Sequence, residues 1–130
     1  MLKDVSETIA PTPLRTGRTR RAGMEHIARF IDDNFAERLT LDELAARAGL
    51  SVFRFVTVFR KEVGVSPHRY LCKVRVQAAQ SLLRTGVRPS IAATEVGFFD
   101  QSHLCRHFRA VCGMTPGQYL ATPAQPGGLS

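Results

Sequence analysis

Apolar side chains recur along this chain at helical spacing, in short bursts closed by glycine. Over residues 24–36, Met24, Ile27, Ala28, Ile31 and Phe35 fall at i, i+3, i+4, i+7 and i+11, one face of a 3.6-residue period. Glu25, Asp32, Asp33 and Glu37 occupy the outer face. Thr40-Leu41-Asp42-Glu43 then has the T-x-x-E spacing of a capping box, in which the threonine takes a first-turn amide and Glu43 reaches back. It opens a helix over 41–48 that buries Leu41, Leu44, Ala45 and Ala48, and Gly49 supplies a positive-φ stop. Ser51 caps another helix to about Val63, with Phe55, Val58, Phe59 and Val63 inward. Gly64 stops it, and Ser66 with Pro67 at the first helical position opens a long helix to about Arg84. Leu71, Val74, Ala78 and Leu82 form one stripe of that helix, and Gly86 and Pro89 mark its end. The pattern restarts with a short helix near 89–96, a stop at Gly97 and a helix near 101–112 that buries Leu104, Phe108 and Cys112. Gly113, a Thr115 cap and Pro116 then lead into a last helix through Tyr119. No segment carries a convincing strand pattern, so the chain is predicted all-α.

The restart is a repeat. FRKEVGVSPHRYL at 59–71 returns as FRAVCGMTPGQYL at 108–120, 49 residues later. Upstream, LxxLAxxAGL at 41–50 matches PxxAAxxVGF at 89–98 at an offset of 48, with one extra residue in the second turn. Two short helices joined at a glycine are the sequence form of a helix-turn-helix. The chain therefore holds two such units in tandem, at about 40–63 and 89–112, joined by a linking helix at about 67–84. Residues 1–22 mix Pro, Thr, Gly and Arg without periodicity and are expected to be a flexible basic arm, as residues 122–130 are a flexible tail. The second bracing helix has Pro89 and Ala92-Ala93 where the first has Leu41 and Leu44-Ala45. Lost core methylenes cost about 1 kcal/mol each, so the second unit is expected to be the looser, with Ile91 rotating in to fill the gap.

Charge changes the picture by its placement. The net charge is +7; residues 1–22 carry +3, residues 23–50 carry −3 and residues 51–130 carry +7. A basic C-terminal body suits a polyanion such as nucleic acid, and the acidic first helix suits a protein partner. No apolar run approaches the roughly 20 residues of a membrane span, and residues 1–22 lack the apolar core of a secretory signal. Three cysteines, Cys72, Cys105 and Cys112, form no CxxC pair and fit reduced thiols in a cytoplasmic protein. No Gly-rich phosphate loop, G-x-S-x-G or HExxH is present, so no enzyme is expected. His103 and His107 stand at i, i+4 with Cys105 and Cys112 nearby, but residue 105 points away from the 103/107 side. The sequence accordingly predicts no metal site and no cofactor.

In a helix-turn-helix the second helix enters the major groove and the first braces it. Opposite its core stripe the helix at 51–63 shows Phe53, Arg54, Val56, Thr57, Arg60 and Lys61; the helix at 101–112 shows Ser102, His103, Cys105, Arg106, Arg109 and Ala110. Arg106 can donate two bonds to guanine O6/N7, and Phe53, Val56 and the Thr57 methyl can pack on thymine methyls. Gln101 and Ser102 begin the second helix within reach of base edges or phosphates. Ser51, Arg54, Arg60, Lys61 and Arg109 suit phosphates, which set register and salt dependence. A linking helix of about 18 residues is about 27 Å long, and successive major grooves on one face of DNA lie roughly 34 Å apart. One monomer could thus read an asymmetric site on double-stranded DNA through two adjacent grooves.

The chain resembles the AraC/XylS-type DNA-binding domain, a homeodomain-like fold. The resemblance rests on LTLDELAARAGLS at 39–51, FRKEVGVSPHRYL at 59–71, Arg75 with Ala79, Leu82 and Leu83, and above all EVGFFDQSHLCRHFRAVCGMTPGQYL at 95–120. It covers about residues 23–121. It implies a bacterial transcription regulator, commonly an activator working beside RNA polymerase. Matched onto the family motif, the base-reading residues are Phe53, Val56, Thr57, Gln101, Ser102, His103 and Arg106. Family members often carry an N-terminal ligand-sensing or dimerisation domain. The chain is therefore expected to be either a stand-alone domain or a piece of, or partner to, a longer regulator.

Overall fold

The computed structural model describes residues 16–123. Seven helices occupy them: α1 Thr16–Asn34, α2 Leu41–Ala48, α3 Val52–Val63, α4 Pro67–Arg84, α5 Pro89–Glu95, α6 Gln101–Cys112 and α7 Pro116–Ala121. No strand occurs among the described residues. They fall into two compact units. One holds the described residues up to Ile31 with Thr40–Pro67, and the other holds Asp32–Leu39 with the described residues from His68 onward.

Helix α1 begins at Thr16, eight residues before the apolar pattern starts, so 16–22 are helical rather than part of an arm. Arg and Ala are good helix formers, and extending an existing helix costs far less than starting one. No apolar stripe announces that extension. Residues 1–15 and 124–130, assigned by the sequence to the arm and the tail, lie outside the described residues.

The first unit packs α1, α2 and α3 around Met24, Ile27, Ile31, Leu44, Ala45, Phe55 and Phe59. The Phe55 and Phe59 rings meet at 5.6 Å between centroids, and the Arg47 guanidinium lies 3.8 Å over the Phe30 ring. Thr40 Oγ1 accepts the Glu43 N–H at 3.1 Å, without the return bond from Glu43 that a full capping box requires. Leu41, expected inside, is 40% exposed because it stands at the first helical position, before the stripe turns inward. Ala48, Val58 and Val63 are half-buried at the margins of the core. Gly49 adopts φ 73°, and the Leu50 N–H returns to Ala45 O at 3.0 Å, which closes α2 and releases the chain into α3.

The second unit gathers α4 to α7 around Cys72, Val76, Ala79, Leu83, Ala92, Ala93, Val96, Phe98, Leu104 and Phe108. Of the expected α4 stripe Leu71 is buried, and Val74, Ala78 and Leu82 are half-buried, with Ala78 and Leu82 packed against this core; the residues of α4 within the cluster itself are 72, 76, 79 and 83. Two apolar stripes lie side by side on α4, and periodicity alone does not choose between them. Side chains of α4 also tie down the rest of the unit. Tyr70 donates its hydroxyl to Asp32 Oδ1 at 2.8 Å. Arg75 donates to Phe35 O at 2.7 Å and to Glu37 O at 3.0 Å. Arg84 donates to Thr122 O at 3.1 Å and lies 4.3 Å over the Tyr119 ring, so Thr122 is anchored and is no part of a free tail.

Ile91 does not fill the gap left by the missing leucines. It is 45% exposed, while Ala92 and Ala93 are fully buried and point into the core. Val96 and Phe98, both buried, stand at the repeat positions of the half-buried Ala48 and Leu50. The volume lost at the start of the bracing helix reappears at its end. What α5 lacks is a start: Arg88 makes no side-chain cap bond, whereas α2 has the Thr40 hydroxyl. A missing cap costs about 1 kcal/mol. Amides of α5 should accordingly exchange with deuterium faster than those of α2; equal protection in the two would refute this weakness.

Burial first, then the bond to Asp32 and its charge, raise the Tyr70 hydroxyl from 10.0 to about 12. The fold therefore favours the protonated phenol. This contribution is complete below pH 10 and is lost as pH rises through about 12. Unfolding midpoints over that window should fall more steeply for the wild type than for Tyr70→Phe.

Candidate nucleic-acid interface

Helix α3 shows how burial on one side selects what the other side offers. Phe55 and Phe59 are fully buried, and on a 3.6-residue period this turns Phe53, Arg54, Thr57, Arg60 and Lys61 outward, where all five are exposed. Phe53 is 81% exposed, a large apolar ring with nothing of its own unit to cover it. Val56 is half-buried at the edge of the same face. Thr57 Oγ1 donates to Phe53 O at 2.9 Å, so its hydroxyl proton is already used. The Ser51 side chain accepts from Arg54 N at 3.2 Å and starts the helix.

Helix α6 repeats the arrangement in the second unit. Leu104 and Phe108 are fully buried, and Gln101, Ser102, Arg106 and Arg109 are exposed. Asp100 caps the helix through Oδ1, which accepts from His103 N at 2.9 Å. His103 differs from the other expected base readers. It is half-buried, its Nδ1 accepts from Phe99 N at 3.3 Å, and its ring meets those of Phe98 and His107 edge-on at 5.3 and 4.8 Å. It holds the turn that aims α6. Cys105 is also half-buried rather than open on the outer face.

The turn before α6 depends on two residues. Gly97 adopts φ 104°, in the left-handed region, and a β-carbon there would meet the Arg75 guanidinium at 2.9 Å. That guanidinium is held in place by its bonds to Phe35 and Glu37. Burial lowers the basicity of Arg75, which remains a cation. Phe99 follows in the turn, 83% exposed and beside the start of α6. Site reasoning on the sequence passed over Phe99. The extra residue that the second turn carries relative to the first was the available signal.

A second group comes together behind α6. His107 stacks flat on Phe98 at 5.3 Å and meets His68 at 5.9 Å between ring centroids. Cys72 Sγ lies 3.6 Å from His68 Nε2. Burial, followed by the neighbouring His103, His68, Arg106 and Arg75, lowers the His107 imidazole below its ordinary value. Burial pushes the Cys72 thiol up against the opposing pull of Arg75 and Arg69. His103 and His107 were considered as ligands from the sequence, but helix spacing does not reveal that His68 and Cys72 of α4 meet His107.

A helix-turn-helix domain family model matches residues 44–122. The chain belongs to the AraC-type helix-turn-helix family of DNA-binding transcription regulators. It is 37% identical over 78 residues to the uncharacterised regulator YbfI of Bacillus subtilis, covering 60% of this chain and 28% of that protein. It is 31% identical over 91 residues to the transcriptional activator AarP of Providencia stuartii, covering 69% of this chain and 67% of AarP. Among solved structures, the DNA-binding domain of the global transcriptional factor AdpA in complex with a target DNA superposes with a TM-score of 0.71 at 31% identity. That match covers 76% of this chain and 90% of the AdpA chain. The family consists of regulators, not enzymes. The first two curated relatives are considerably longer than the match, which spans 28% and 27% of their lengths. No helix among the described residues is long and apolar enough to cross a membrane.

Replacing Gly97 by alanine should destabilise the second unit by about 1–3 kcal/mol, the usual cost of forcing a side chain into such a backbone region. Chemical denaturation of G97A against wild type measures it, and unchanged stability would refute the role given to this turn.

Proposed function

We propose that this chain is a sequence-specific transcription activator whose body, residues 23–121, binds double-stranded DNA through α3 and α6 in two adjacent major grooves. One observation carries the proposal: both helices bury a two-residue apolar stripe and expose basic side chains on the opposite side, beside Phe53 and Thr57 in α3 and Gln101 and Ser102 in α6. In this reading Arg106 donates to guanine O6/N7. Gln101 and Ser102 contact base edges from the start of α6, and His103 contributes from the adjoining edge. Phe53, Val56 and the Thr57 methyl pack on thymine methyls, a use compatible with the Thr57 hydroxyl being bound to Phe53 O. Ser51, Arg54, Arg60, Lys61 and Arg109 engage phosphates; Ser51 does so while capping α3, whose N-terminal amides favour an anion. Two complete units on one chain favour binding as a monomer to an asymmetric site. Activation is supported by the activator name that AarP bears; contact with RNA polymerase is part of the proposal and rests on the family resemblance.

Selection of bound sites from a random DNA pool tests this. A roughly 20-base-pair asymmetric site with two half-sites one turn apart is expected; a single short half-site would refute the two-groove model. On the selected site, Arg106→Ala should cost about 1–3 kcal/mol and relax preference at one position. Arg109→Ala should weaken binding to all sequences alike and reduce the salt slope by about 1. Equal behaviour of the two variants would count against the roles assigned.

A further inference from the structure

The cluster behind α6 has a use that DNA binding does not explain. His68 and Cys72 stand one turn apart on α4, and His107 faces them from α6. One ligand atom from each lies within 4.8 Å of the other two. In a tetrahedral zinc site, Zn–S of about 2.3 Å and Zn–N of about 2.0 Å hold sulfur and nitrogen about 3.5 Å apart. Cys72 Sγ and His68 Nε2 are 3.6 Å apart, so one edge of the tetrahedron already has its length. The other separations are no more than 4.8 Å, and the His68 side chain is exposed. Flat stacking on Phe98 meanwhile fixes the plane of His107.

The donor chemistry selects the ion. Two imidazoles and a thiolate with no carboxylate suit a borderline-soft cation and not magnesium or calcium. The exposed His68 side leaves a fourth position for water. Arg69, Arg75, Arg106 and His103 surround the cluster and oppose any added positive charge. The thiolate is therefore the ligand that makes a dication tolerable, and Cys72 is the residue on which the site depends.

We propose that His68, Cys72 and His107 bind a divalent cation of the zinc class, which clamps helix α6 to α4. On binding, the Cys72 S–H bond breaks, its proton leaves to solvent and a sulfur–metal bond forms, with no change of oxidation state. The clamp holds α6 directly, in the unit whose bracing helix α5 starts without a side-chain cap. Ion binding itself is independent of the DNA-binding reading; only its effect on grip rests on that reading.

The test uses the whole reduced chain, freed of metal and without DNA, titrated with cobalt(II) and then zinc(II). One equivalent of cobalt should give a thiolate-to-metal charge-transfer absorption with tetrahedral d–d bands, which zinc abolishes by displacement. Zinc should also raise the thermal unfolding midpoint. Cys72→Ser should remove the charge-transfer absorption, and His68→Gln and His107→Gln should each weaken zinc binding by about 10-fold or more. The double variant Cys105→Ser/Cys112→Ser should retain the absorption. Circular dichroism establishes that each variant is folded, and the two histidine variants keep the test decisive if Cys72→Ser does not fold. Absence of the absorption at one equivalent overturns the proposal. So does unweakened zinc binding by His107→Gln, or loss of the absorption only in the Cys105/Cys112 variant. Because DNA is absent, none of these outcomes bears on whether α6 reads bases.

Discussion

A helix of 12 residues is marginal in water when it stands alone. Helices α3 and α6 persist because Phe55 and Phe59, and Leu104 and Phe108, are removed from solvent completely. Fully burying a large apolar side chain contributes about 1.5–3 kcal/mol, so each pair is comparable with the whole cost of ordering a short helix end. The same burial fixes rotation about the helix axis. Once two positions one turn apart must face inward, the side that carries Phe53 and Arg54, or Gln101 and Arg106, has no freedom to face anywhere else. Stability and function are thus set by one stripe per helix.

The two units meet this requirement differently. In the first, a leucine-bearing bracing helix with a side-chain cap lies against α3. In the second, alanines replace leucine and the cap is missing, while Val96 and Phe98 restore the lost volume beyond the end of the helix. Arg75 adds a polar restraint, holding the segment at Phe35 and Glu37 and occupying the space beside Gly97. An unpaired guanidinium is costly even when half-buried, and two backbone carbonyls satisfy this one. The packing deficit visible in the composition of α5 is therefore largely made good, and the remaining weakness lies in its capping.

Much of this could be read without coordinates. The all-helical class follows from 3.6-residue periodicity alone. The stops at Gly49, Gly64 and Gly113 follow from their position after apolar bursts, and all three adopt positive φ. The outward positions of Phe53, Arg54, Thr57, Gln101, Ser102 and Arg106 follow from their phase relative to the buried pairs. Other expectations failed for identifiable reasons. Ile91 lies on the edge of a stripe that Ala92, Ala93 and Val96 already fill. Leu41 stands at a helix start, where periodicity overstates burial. Beyond Leu71, which is buried as expected, the deepest positions of α4 shifted by one stripe because two neighbouring stripes are both apolar. The start of α1 was missed because helix propensity without amphipathicity leaves no periodic mark.

Local rules are enough to decide where a helix starts, where it stops and which side is apolar, because they involve residues within about four positions of one another. The sequence by itself therefore determined the helical class, the repeat and the polar faces. Only the tertiary structure decided that His103 turns inward to hold Phe99, that Arg75 reaches 40 residues back to Phe35, and that His68 and Cys72 meet His107. Those contacts join distant parts of the chain through its packing, and no periodicity or motif spacing encodes such a distance.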